Sequence, residues 1–304
     1  MTEHNWFHPR GALARDGWES VVDGDTPGWE HTGIRIAQLS PGDEVTLDDP
    51  GVERIIIPLT GAFAVTWTLN DEVTTTELAG RQSVFDGPTD VLYLSAGARA
   101  AVSGSGRFAV ASSPTDERHP SRHILAAETA VELRGAGASS RQVHNFGTPP
   151  SLEAARLIVC EVITPANNWS SYPPHKHDEF NPGQESRLEE IYYFESAPQR
   201  GSEIVAQDGD PFGMFSTYSS PAGEIDINAM VRTGDIALVP YGYHGPAVAA
   251  PGYDLYYLNV MAGSGPERAW LITDDPAHSW VRQTWSAQDV DSRLPFTSKG
   301  GPRE

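Results

Sequence analysis

Hydrophobic residues along the chain fall into short runs separated by polar or turn-forming residues. Gly33–Leu39 reads GIRIAQL, residues 52–59 VERIIIPL, residues 62–69 AFAVTWTL and residues 90–94 DVLYL. Each run is rich in Ile, Val or aromatic residues and is bounded by Gly, Pro, Asp or Ser, which is the chemistry of a β-strand. The second half keeps the same rhythm at residues 155–163, 190–194, 212–218, 235–239 and 255–261. Helical periodicity is scarce, and only residues 152–155 and 286–292 predict a turn or two.

Many short, evenly spaced strands point to sandwiches or barrels. The halves also echo each other. Glu53 with the apolar run after it matches Glu190 with its own, and VLYLSAG at 91–97 matches IALVPYG at 236–242. A repeat of about half the chain predicts an all-β fold of two similar barrels, residues 1–140 and 141–304. The polar, Gly/Ser-rich stretch 134–141 (RGAGASSR) marks the boundary.

Composition narrows the function. The 304 residues include 41 Asp and Glu against 21 Lys and Arg, a formal net charge of -20. A field of that sign repels phosphate backbones and anionic lipid, so nucleic acid and membrane surfaces are not expected partners. An anionic small substrate needs a local positive centre, which a bound metal would supply. The one cysteine, Cys160, lies in an apolar run and reads as a buried, inert thiol. The polar start has no apolar signal core, and no stretch approaches the roughly 18 apolar residues of a membrane span, so a cytoplasmic protein is expected.

The chemistry concentrates in SSYPPHKHD, residues 170–178. In an extended segment alternate side chains share a face, so His175 and His177 stand roughly 7 Å apart on one side, with Lys176 and Asp178 on the other. Glu190 opens the next strand-like run, and His244 follows a Pro240-Tyr-Gly-Tyr turn. A single strand histidine is more often a surface or hydrogen-bonded residue than a ligand. The order His-x-His, acid, then a histidine aimed by a turn makes His175, His177, Glu190 and His244 a candidate site for one divalent metal. Zinc, manganese, iron, cobalt and nickel all suit such a donor set.

This order resembles the two motifs of the cupin barrels. More specifically, NWSSYPPHKHD (168–178), LEEIYYF (188–194), GYH (242–244) and PGYDLYYLNVMAG (251–263) resemble the 5-deoxy-glucuronate isomerases of inositol catabolism. These are bicupins related to the deoxy-hexosulose-uronate ketol-isomerase of pectin breakdown. The resemblance implies a metal-dependent aldose–ketose isomerase acting on a small sugar acid, with the metal in the second barrel. It also makes Glu190, not its neighbour Glu189, the metal acid. Against the family pattern, Phe215-Ser216 replaces a Gln-Arg pair, Tyr241 an Arg and Gly245 a Pro. Arg187, Arg268 and Lys176 remain as cations near the site motifs to meet a carboxylate.

Glu161 and Tyr192 occupy strand positions suited to the proton shuttle, with a structural hydrogen bond as the plainer role of each. The first half has no His-x-His before Glu53 and no histidine directly following the Gly97 turn as His244 follows Gly242, so it reads as a scaffold without metal. His31, His119, His123, His144 and His278 lack ligand spacing. Trp169, Trp270 and Trp280 suit either aromatic packing or the wall of a sugar pocket. The related uronate ketol-isomerase activity of pectin breakdown, a metal-dependent cupin dioxygenase and a non-catalytic sugar-acid-binding bicupin stay open as alternatives, as does a homo-oligomer.

Overall fold

The computed structural model describes residues 6–202 and 209–297. Two large antiparallel sheets dominate. The first runs in the order Ser20–Val22, Gly33–Leu39, Arg99–Pro114, Val52–Leu69, Val91–Leu94, Arg122–Ile124. The second has seven strands, with Glu189–Pro198, Tyr253–Ala262 and Ile158–Thr164 at its centre and the N-terminal Phe7–His8 at one edge. A smaller sheet carrying Gly213–Tyr218, Tyr243–Ala249 and His175–Lys176 closes the second half. The chain has the all-β architecture of a double cupin. Among the described residues no helix is long and apolar enough to cross a membrane.

The two large sheets stack through one shared core. Ile34, Ile36, Ile55 and Ile57 of the first half pack with Val159, Ile191, Tyr193, Leu258 and Val260 of the second. Strand alternation sends the intervening side chains the other way. Ile56, Leu92 and Val110 fill the first barrel, and Cys160, Tyr192, Phe194 and Met261 fill the second. Both faces are therefore buried. This is why VERIIIPL and EEIYYF read as continuous apolar runs rather than alternating ones.

Runs 52–59 and 62–69 form a single bent strand, Val52–Leu69, with a register shift between Pro58 and Thr60. Gly61 permits the bend: its φ is 83°, and a Cβ there would lie 1.9 Å from the Ser105 carbonyl oxygen. Residues 152–155 are irregular and contain no helical turn. The helical turns near the C-terminus are Val281–Thr284 and Trp285–Ala287, earlier than the stretch 286–292 that the sequence suggests. Strand Ala130–Arg134 pairs with Arg141–Gly147, so the Gly/Ser-rich stretch is the turn of a hairpin inside the second half's sheet.

Two carboxylates tie the halves reciprocally. Glu53 accepts hydrogen bonds from the backbone N–H groups of Ala155, Arg156 and Leu157 at 2.7–2.8 Å. Glu189 accepts from the N–H groups of Glu30, His31 and Thr32 at 2.6–3.3 Å. Glu53 is thus the counterpart of Glu189 and not, as the sequence repeat suggests, of Glu190. Register agrees: Arg54 faces Leu94 as Glu190 faces Val239, and Leu94 and Val239 end equivalent strands.

Glu161 completes the interface. It lies on the same face of its strand as Val159 and Ile163, where Arg81 donates to both of its oxygens at 2.7 Å. Tyr256 donates to it at 2.7 Å, and His144 Nδ1 lies 2.6 Å away. Burial opposes its ionisation, but Arg81 and His144 outweigh that and hold its pKa well below the usual carboxylate range. Removing one partner of a buried pair costs about 3–5 kcal/mol because the other charge is left uncompensated. Glu161→Gln is expected to destabilise the fold by that amount in urea denaturation, whereas a loss below about 1 kcal/mol would show that the pair is dispensable.

Candidate metal centre

Three elements bring the donor residues together. His175 lies in the short strand His175–Lys176, directly opposite His244 of Tyr243–Ala249. Glu190 projects from the central strand Glu189–Pro198 into the second barrel. Asp178 locks the geometry from the opposite face of the histidine segment, accepting from the Gly242 N–H at 2.8 Å and from Lys176 Nζ at 2.7 Å. Gly242 turns the chain with φ at 95°, and a Cβ there would lie 2.4 Å from Ile225 Cγ2. Its carbonyl then receives the imidazole of the histidine two residues on.

All three rings are tethered in the same way. Nδ1 of His175, His177 and His244 lies 3.3, 3.1 and 3.1 Å from the carbonyl oxygens of Pro173, Leu188 and Gly242. A carbonyl only accepts, so each Nδ1 carries a proton and Nε2 is left as the atom that can ligate a metal. His177 Nε2 lies 3.0 Å from Glu190 Oε2. His244 Nε2 lies 3.1 Å from the same oxygen, buried but without hydrogen-bond geometry. Ligand atoms of His177, Glu190 and His244 all lie within 4.8 Å of one another. Two imidazole nitrogens and a carboxylate oxygen converging in a buried space are a donor set that fits a divalent metal.

His175 stands slightly apart, its ring centroid 4.5 Å from that of His244 and 6.3 Å from that of His177. Burial, then repulsion from His244 and His177, pushes its pKa well below the ordinary histidine value and favours the neutral form that metal binding needs. Glu190 is raised by burial, but His177 and His244 more than compensate and hold it at about 2. The acidic group Asp178, Glu179 and Glu185 is already filled by a cation, the ammonium of Lys176 at 2.7, 3.2 and 2.8 Å. In the first barrel Arg54 holds the position equivalent to Glu190. Its guanidinium donates to the Leu47 and Asp49 carbonyls beside a cavity of about 250 Å³.

The candidate centre adjoins a cavity of about 230 Å³ whose lining includes His175, Glu190, Tyr192 and Tyr257. Ser171, in the left-handed conformation with φ at 47°, sets its hydroxyl 3.2 Å from both Tyr192 Oη and Tyr257 Oη. Burial, then the Glu190 carboxylate, raises the Tyr192 phenol well above its ordinary pKa and keeps it neutral. Glu161 does not line this space. Strand alternation commits it to the opposite face, so its expected role as proton shuttle is not supported.

The remaining cavity wall carries Arg134, Arg141, Arg282 and Trp270. These arginines, rather than Arg187, Arg268 or Lys176, are the cations beside the site. Arg187 is exposed, and Arg268 donates to the carbonyls of Gly147, Leu152 and Leu157. Trp169 and Trp280 are 41% and 57% exposed and lie outside the cavity. The signal for Arg134 and Arg141 was present in the sequence as the two ends of the presumed boundary.

Adjacent acids give a direct test of the centre. Glu190→Gln is expected to reduce metal content from about one ion per chain to well below half, since it removes both charge and ligand. Glu189→Gln is expected to keep the metal and lose about 1–3 kcal/mol of stability, because a buried acceptor of several N–H groups is weakened. Elemental analysis and denaturation of both variants check this, and the reverse pattern would move the ligand to Glu189.

Comparison with known proteins agrees with the architecture. Residues 6–281 match the KduI/IolB family. A 5-deoxy-glucuronate isomerase of Bacillus velezensis is 38% identical over 256 residues, covering 83% of this chain and 88% of that protein. One of Geobacillus kaustophilus is 37% identical over 266 residues, covering 86% and 90%. The crystal structure of an IolB-like protein from Salmonella typhimurium superposes with a TM-score of 0.79 at 33% identity, covering 91% of this chain and 99% of that one. The oxalate decarboxylase of Lactobacillus farciminis shares the fold at a TM-score of 0.61 and 11% identity, covering 90% and 89%. With its family-wide match and its relatives above 30% identity over most of their length, this chain belongs to the KduI/IolB family.

Proposed function

We propose that this chain is a metal-dependent aldose–ketose isomerase that converts 5-deoxy-glucuronate to 5-dehydro-2-deoxy-gluconate. The observation that carries this reading is the set of three Nδ1-tethered imidazoles converging with Glu190 beside a cavity that Arg134, Arg141 and Arg282 also line. The relatives named for this reaction support the choice of substrate.

The reaction moves a carbonyl to the adjacent carbon, so a carbon-bound proton must leave and another must be returned, with no net redox change. A divalent metal held by His175, His177, Glu190 and His244 would supply Lewis-acid polarisation of the two substrate oxygens. The chain's own groups do the rest. The carbonyl tethers fix the imidazole planes and the Nδ1–H tautomer. Tyr192, held neutral, can donate a hydrogen bond to a substrate oxygen and exchange a proton through Ser171 and Tyr257. The apolar packing of Phe194, Phe215 and Met261 beneath the site limits the water available to compete.

An anaerobic assay with 5-deoxy-glucuronate and added manganese, iron, cobalt, nickel or zinc tests the proposal. Ketose formation without oxygen, lost on chelation, is the expected result. Dependence on oxygen would favour a dioxygenase, and no turnover with any of these metals would favour a binding protein. Tyr192→Phe is expected to lower kcat by about 100-fold or more while metal content stays near one ion per chain. Unchanged kcat would remove Tyr192 from the proton path.

A further inference from the structure

The three arginines in the cavity wall are not equivalent. Arg134 is engaged by Glu132, with Nε and Nη2 donating at 3.1 and 2.7 Å. Arg282 is likewise engaged by Asp274, with Nε donating to one oxygen and Nη2 to the other at 2.7 Å. Each of these pairs is neutral as a unit. Arg141 has no carboxylate partner among the described residues, and its one hydrogen bond runs from Nη1 to the Ser139 carbonyl at 3.1 Å. It is buried at 6% exposure.

A buried guanidinium with one carbonyl acceptor and no carboxylate partner is costly to desolvate. Neighbouring groups sharpen its orientation. The Arg141 Cζ lies 5.5 Å from the Trp285 ring centroid, and Arg282 Cζ lies 5.2 Å from the same ring, so Trp285 organises both cations. Burial, with added repulsion from Arg134 and Arg282, pulls the Arg141 pKa down to about 10, still charged at neutral pH and ready to gain from an arriving anion. Two further donors in the wall, Asn259 Nδ2 and Trp270 Nε1, are buried and find no acceptor. The wall thus presents donors to a ligand rich in acceptor oxygens.

We infer that Arg141 is the residue that anchors the substrate's carboxylate, and so sets the specificity of this site for a sugar acid over a neutral sugar. The inference rests on the isomerase reading for the identity of the sugar, but not for the class of ligand. A guanidinium fork binds a carboxylate bidentately and fixes its plane, so the carboxylate end of the chain would lie against Trp285 and the carbonyl end would face Glu190. This gives the site its own positive recognition element, independent of the Gln-Arg pair replaced by Phe215 and Ser216 and of the Arg replaced by Tyr241.

The test compares 5-deoxy-glucuronate with the corresponding neutral aldose, which carries a hydroxymethyl group in place of the carboxylate. In Arg141→Met the acid-to-neutral ratio of kcat/KM is expected to fall about 10- to 100-fold, mainly through KM for the acid, with metal content retained. Arg141→Lys, which keeps the charge but loses the fork, is expected to fall between the two and serves if the Met variant does not fold. Equal losses on both substrates, or an unchanged ratio, would overturn the assignment. A second readout separates this inference from the isomerase reading. D-gluconate has no carbonyl to isomerise, and its binding can be followed by tryptophan fluorescence. If the wild type fails to turn over 5-deoxy-glucuronate but binds gluconate at least 10-fold more tightly than Arg141→Met, the reaction is wrong and the anchor stands. Equal gluconate affinity in the two proteins would remove the anchor whatever the reaction.

Discussion

Burial of the central sheet on both faces is the constraint on which the molecule depends. Strand Glu189–Pro198 must satisfy the shared core with Ile191 and Tyr193, and the second barrel with Glu190, Tyr192 and Phe194. A one-residue slip would exchange the two sets and carry the metal acid into the interface. The carboxylate of Glu189, fixed to three backbone N–H groups of the other half, holds that register. The candidate metal centre is therefore positioned from behind, by contacts outside its donor set.

Much of this was legible in the sequence. Strand Gly33–Leu39 is bounded as its pattern implies, and His177, Glu190 and His244 lie close together, with His175 beside them. Local signals carry that information, because strand alternation and turn chemistry act over a few residues. What failed was phase. When both faces of a strand are apolar, the pattern does not say which face meets the site, and so Glu161 looked available to the cavity when it belongs to Arg81. The same loss of contrast made Glu53 look like the partner of Glu190. Arg141 escaped for a different reason. It belongs to a strand whose first-half neighbour in sequence is a Gly/Ser-rich turn, and only tertiary pairing shows that this turn lies inside a sheet.

Electrostatics at the site runs against the molecule as a whole. The chain carries a net charge of -20, yet one wall of the cavity is built from guanidinium groups. Long-range repulsion of an anion is weakened by salt over about 8–10 Å, whereas contacts within the cavity are little screened. Any recognition of an anion at this site is consequently a short-range matter for the few residues that line the cavity. In the first barrel the corresponding acid is replaced by Arg54, whose guanidinium spends its hydrogen bonds on the carbonyls of a neighbouring loop. One barrel offers a donor set for a cation, and its twin carries a cation covalently.

The reciprocal carboxylates, Glu53 and Glu189, also bear on how the chain unfolds. Each half supplies the acceptor that the other half's strand entry needs, so neither has a complete set of backbone partners alone. Pulling the halves apart would strand two buried carboxylates and six amide groups in a single event, with the shared apolar core exposed at the same moment. Separation without melting is thereby disfavoured, and the two barrels behave as one cooperative unit although the sequence is written as a repeat.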